Sequence, residues 1–166
     1  MLTSNACNFN VGMATNIILL ITLLAYSIIV SQSFMYILAL KKVQVSLEAK
    51  TYIEFRQLID TSMRSNFKYV IYVALLANLL LVISTIKNPC SILFITAAIA
   101  LICLITDTLL TVKSNLPVND IINKWTAETF PEDWAEYRTK WFAIFQYRQI
   151  VNIIGFVSLL IGTVFV

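Results

Sequence analysis

The chain has 166 residues, of which 59% are hydrophobic and only 13% charged, with a formal net charge of +3 and no histidine; its mean hydropathy is +0.81. A soluble domain carries about 25% charged residues, so this composition excludes one and indicates an integral membrane protein. The missing histidine excludes His-ligated haem, imidazole zinc, Glu-x-x-His di-iron sites and Ser-His or Cys-His nucleophile pairs, and without a basic stripe beside stacking aromatics no nucleic-acid partner is expected.

The first apolar stretch covers residues 16–40. The tail before it, "MLTSNACNFNVGMATN", has no basic residue, and about 25 apolar positions exceed the h-region of a signal peptide, so a permanent span is expected. Gln32 lies just inside the boundary set by Lys41 and Lys42. In the segment 41–68, "TYIEFRQLIDTSMRSNF" offers a capping box, Thr51 with Glu54 three residues on. Tyr52, Phe55, Ile59 and Met63 then share one side of a helix. That helix is expected to lie on the membrane surface or on the inner end of the bundle, where it could serve as a lid.

The second span, 69–86, carries Asn78, and a short loop with Lys87 and Cys90 leads to the third, 91–112. There "LICLITDTLLTVK" holds the one acid found in the spans, Asp107. Thr96, Ala100, Cys103, Asp107, Thr111 and Ser114 fall at about −20°, 20°, −40°, 0°, 40° and −20° around the helix, a small and polar stripe. A carboxylate at the centre of a span costs about 2.5–3.5 kcal/mol, so Asp107 is expected to face a partner or a wet cavity. Cys103 reads as a packing residue. Cys7 and Cys90 both fall on the expected outer face, where a disulfide is one reading and two unrelated thiols the other.

In the segment 113–148, Pro117 reads as a helix stop, a short helix follows over Ile121, Ile122 and Trp125, and Thr129 with Pro131 marks a new start. No breaker appears from Pro131 to the end, so one helix of about 54 Å is expected, its first four turns projecting from the bilayer before the fourth span, 149–166. On it Trp134, Arg138, Trp141, Phe145, Arg148 and Asn152 fall at about 0°, 40°, −20°, 20°, −40° and 0°.

The basic residues cluster in the two long segments, and only Lys87 lies on the other side. By the positive-inside rule both termini face out and both long connections face the cytoplasm. The expected fold is one all-α domain over residues 1–166, a four-helix bundle in the lipid bilayer with two helical cytoplasmic connections and the fourth helix extended. Gln32, Asn78, Asp107 and Asn152 sit at comparable depth in its cytoplasmic half. They read either as packing glue, with Asp107 neutralised by Arg148, or as polar groups of a cavity open to the cytoplasm. No carboxylate cluster marks a metal site, and no cofactor is called for.

"NLPVNDIINKW" followed by "DWAEYRTKWFAIFQYR" resembles the signature of the anthrone oxygenase-like membrane proteins, small four-span chains of a domain-of-unknown-function family. Asn115, Pro117, Asn119, Trp125, Trp134, Arg138, Trp141 and Arg148 match its pattern. Phe145 stands where members commonly carry a histidine. The resemblance implies a cofactor-free oxygenase that removes a proton from the activated methylene of a polycyclic phenolic anthrone, so that the carbanion reacts with dioxygen. Arg138 and Arg148 would then hold the anion, Trp134, Trp141 and Phe145 would stack on the rings, and Asp107 would be the base. Gln32, Asn115, Asn119, Trp125 and Asn152 complete the expected small-molecule site. The alternatives are a non-catalytic lipid- or quinone-binding protein and a structural subunit of a larger homo- or hetero-oligomer, with Gly155, Phe156 and Ser158 facing outward onto a partner.

Overall fold

The computed structural model describes the backbone of residues 2–165 and the side chains of residues 12–165. Helix α1 (Leu2–Met35) runs on through one wide π turn (Tyr36–Leu40) into a last stretch, Lys41–Ser46, and ends where Leu47 and Glu48 take up extended backbone. Then follow α2 (Ala49–Thr85), α3 (Ile92–Ile122, with a second π turn at Thr111–Asn115) and α4 (Trp134–Val164). All four are long and apolar enough to cross a membrane, and there is no strand among the described residues. The protein is an all-α, multi-pass membrane protein. Each helix packs on its neighbours in the order α1, α2, α3, α4 and back to α1, which is an up-and-down bundle.

The helical character expected of 41–68 and 113–148 is present, but these segments are extensions of the spans and not separate pieces. Only Leu47–Glu48 and the stretch from Asn123 to Asp133 connect helices at this broad end of the bundle. The capping box does not form: Tyr52 already donates its N–H to the Glu48 carbonyl, so Thr51 lies inside the first turn. Pro117 does not stop α3 either. At the π turn the N–H of Leu116 reaches back five residues to Thr111, and the proline falls at the start of the regular helix beyond it, where a missing N–H costs little. The fourth helix begins at Trp134 and not at Pro131, which sits in the preceding turn and accepts from the Trp134 N–H. Thr129 is not its cap; the Thr126 hydroxyl accepts from the N–H groups of Glu128 and Thr129 instead.

At the opposite, hairpin end Ile86–Ser91 joins α2 to α3, and Ser91 caps α3 by accepting from the Phe94 N–H. This half is densely packed around Ala25, Tyr26, Ile29, Ala74, Leu81, Ala97, Ala100, Leu104 and Leu159. Gly155 and Gly162, seven residues apart on one face of α4, let it lie close to α3. A Cβ at Gly155 would collide with Tyr26 and Cys103, and one at Gly162 with Thr96. Gly155 therefore faces the core, not an outer partner. The outward positions, such as Leu24, Leu76, Ile83, Ile102 and Ile154, are exposed and aliphatic, as a lipid-facing surface requires. Cys90 is exposed on the hairpin; the side chain of Cys7 lies outside the described residues, so the expected pairing has no structural counterpart to compare.

Candidate functional site

Six consecutive residues of α2, Thr61 to Asn66, are exposed on every side of the helix. Along this stretch α2 meets its neighbours through long side chains: Met63 Sδ accepts from Gln32 Nε2 at 3.0 Å, and Arg64 reaches Asp120 on α3. Here α2 stands off the bundle and bridges a cavity of about 530 Å³, within the range of small-molecule sites. One wall comes from α1 (Gln32, Met35, Tyr36, Leu40), the roof from α2 (Arg56, Ile59, Met63, Phe67, Ile71) and the other wall from α3 (Thr108, Val112, Asn115, Asn119). Trp141, Phe145 and Arg148 of α4 form the back. Both π turns border it. By taking an extra residue per turn they shift the register of α1 and α3 so that Tyr36 and Asn115 point inward, both buried.

Two polar networks fix the walls. In the first, Arg148 Nε donates to Asp107 Oδ1 at 2.7 Å and Nη1 to Asn115 Oδ1 at 3.1 Å, while the Asn115 amide donates to the Trp141 carbonyl at 3.3 Å. Both charges are buried, Asp107 completely. Arg148 is on the cavity wall; Asp107 is not, and its second oxygen has no protein partner.

The second network lies toward the broad end. Arg56 donates from Nε (3.3 Å) and Nη2 (3.1 Å) to Asn119 Oδ1 and from Nη1 to the Tyr36 hydroxyl (3.4 Å), with its guanidinium 3.8 Å from the centre of the Trp141 ring. Asn119 donates to Asp60 Oδ1 at 2.6 Å; Asp60 Oδ2 accepts from Asn123 and Arg64, both at 2.7 Å; and Arg64 reaches on to Asp120 at 2.6 Å. Trp141 stacks on Phe145 with ring centres 4.9 Å apart, and Tyr36 leans on both. The result is a flat aromatic back wall with hydrogen-bonding groups at one end and Phe67, Ile71 and Val112 at the other.

Of the residues expected at the site, Gln32, Asn115, Asn119, Trp141, Phe145 and Arg148 do line the cavity. The others have different work. Arg138 donates to the carbonyls of Gln44, Val45 and Leu47 and so caps the end of α1, its guanidinium stacked near Trp134 and Tyr52. Trp125 packs edge-on against Tyr137, and its carbonyl accepts from Gln57, which holds the end of α3. Asn152 is buried between helices below the cavity wall. Asn78, with its amide nitrogen turned to the Ala97 carbonyl, also accepts from the Leu101 N–H and ties α2 to α3. The stripe on α4 is thus half seam, half cavity wall. Tyr36, Arg56, Asp60 and Arg64 were not among the expected residues. Comparison with family models, curated proteins and solved structures gives no match to this chain.

Proposed function

We propose that this protein binds a small amphipathic molecule, with an apolar or aromatic body and a polar head, in the cavity under α2. The observation that carries the reading is the cavity itself: aliphatic and aromatic over most of its wall, polar at one end, and bridged by a helix that is exposed on every side over Thr61 to Asn66. The basic residues support a place at the membrane surface, because Leu40, Lys68 and Val112 are on the cavity wall, beside or among Lys41, Lys68 and Lys113. With the positive-inside rule this is the cytoplasmic surface, and a ligand could enter from the bilayer past either side of α2.

Binding is favoured over turnover. The oxygenase reading implied by the sequence resemblance requires a base beside the ligand. Asp107 is off the cavity wall and paired to Arg148. Asp60 is on it, but both its oxygens already accept, from Asn119, Asn123 and Arg64. A reading as a purely structural subunit would leave the cavity without a use.

The test is native mass spectrometry of the protein purified in mild detergent, beside Ile71→Trp, which fills the cavity from α2. A small apolar molecule retained by the wild type and absent from a folded Ile71→Trp supports the reading. Equal retention by both, or no adduct even after incubation with a panel of fatty acids, quinones and anthrones, refutes it.

A further inference from the structure

The cations on the cavity wall are not equivalent. Arg148 is paired with Asp107, Arg64 with both Asp60 and Asp120, and Lys68 is exposed above the Tyr69 ring. Arg56 is only 4% exposed and has no ion pair among the described residues. Asp60 reaches it only through the Asn119 amide and is shared with Arg64 and Asn123. A guanidinium carries five N–H donors. Three of them are used on Asn119 and Tyr36, which leaves two without an acceptor among the described residues.

Other groups around it are also unpaired, among them the amide oxygen of Gln44. The Tyr36 hydroxyl accepts from both Arg56 and Gln44, so its own proton is free for a third group. The Trp141 N–H, under the Arg56 guanidinium, is buried with no acceptor. Burying a cation without a direct countercharge is costly, and stacking on Trp141 recovers only part of that cost. Yet the same stacking fixes the plane of the guanidinium, which lowers the entropy lost when a planar oxyanion meets its edge.

We infer that Arg56, with Tyr36, is the anchor for an oxyanion, so that the ligand of this cavity is an amphiphile carrying a carboxylate, phenolate or phosphate on an apolar body. The inference rests on the reading of the cavity as a ligand site. The charge meets Arg56 at the polar end while the body lies along Trp141 and Phe145 toward Phe67 and Ile71. The anion supplies the countercharge that Arg56 lacks, so a neutral molecule of the same shape binds less well.

The experiment uses Trp141 fluorescence in a Trp125→Phe, Trp134→Phe background, with brominated stearic acid and its methyl ester as probes, above the pKa of the acid in the detergent used. The acid is expected to quench at a concentration at least about tenfold lower than the ester, the size of a charge-assisted hydrogen bond. Arg56→Gln is expected to abolish that difference and leave quenching by the ester unchanged. Should Arg56→Gln fail to fold, Tyr36→Phe, which removes one neutral donor together with the acceptor used by Arg56 and Gln44, is expected to narrow the difference several-fold. Equal quenching by acid and ester overturns the oxyanion assignment while leaving the cavity reading intact, whereas no quenching by either overturns the cavity reading. In nanodiscs, quenching by brominated phosphatidylglycerol or brominated phosphatidylcholine, each of which carries a phosphodiester, assigns the oxyanion to a lipid headgroup. Quenching by the brominated free acid where neither lipid quenches assigns it to a free amphiphile.

Discussion

The two ends of this bundle are built from the same four helices but solve opposite problems. Toward the hairpin, glycines and alanines bring the helices together until Tyr26 closes on Gly155 and Thr96 on Gly162. Toward the broad end the helices carry arginines, aromatics and two π turns, and α2 is exposed on every side over Thr61 to Asn66. Without a hydrophobic driving force between helices in lipid, close packing and interhelical hydrogen bonds must supply cohesion. The hairpin half relies on the first and the broad half on the second. That division lets a cavity exist without loosening the fold, because networks across Arg56, Asn119 and Asp60 tie α1, α2 and α3 together around it.

The comparison breaks first at the buried ion pair. Asp107→Leu leaves Arg148 as a buried charge without its partner and is expected to cost about 3–5 kcal/mol, read as a fall in the melting temperature in detergent. Adding Arg148→Met is expected to recover much of it. Next in size, Gly155→Leu drives a side chain into Tyr26 and Cys103 and is expected to cost about 1–3 kcal/mol or more. Ile71→Trp, which adds bulk at a residue on the cavity wall that also packs on the core, is expected to lower the melting temperature less than Gly155→Leu does. Arg138→Ala uncaps the last carbonyls of α1. A loss of about 1.5 kcal/mol is expected, with ligand retention in native mass spectra unaltered, which separates the seam from the cavity wall. Last, Lys50→Ala removes an exposed pair to Glu128 at 3.7 Å and is expected to shift stability by no more than about 0.5 kcal/mol.

Much of this architecture is legible in the sequence, because four stretches of the length of a bilayer, separated by basic segments, leave few other arrangements. The pairing of Asp107 with Arg148 is legible too, as a lone acid in a span needs a cation at similar depth. Helix boundaries are harder to read. Pro117 marks a stop only if the helix keeps its regular turn, and the π turn at Thr111–Asn115 removes that condition. The capping box at Thr51 fits the local pattern but loses to the extended backbone at Glu48, which starts α2 earlier. Arg56 had a signal of its own: at about 40° from Tyr52 it lies within the apolar stripe formed with Ile59 and Met63, where a charge on a surface helix would not be placed. On α4, residues spaced evenly along one stripe meet different neighbours at each turn. Arg138 finds the end of α1 and Arg148 finds Asp107, and the spacing alone does not distinguish them.

The central claim is that one half of the bundle is open to a small apolar molecule and the other is closed. The most direct measurement is labelling by a small apolar maleimide, with Cys7, Cys90 and Cys103 replaced by alanine and single cysteines introduced at Thr108, on the cavity wall, and at Ala100, in the packed core. The account predicts rapid labelling of Thr108→Cys that a bound amphiphile slows, and none of Ala100→Cys. Equal protection of both positions would contradict it.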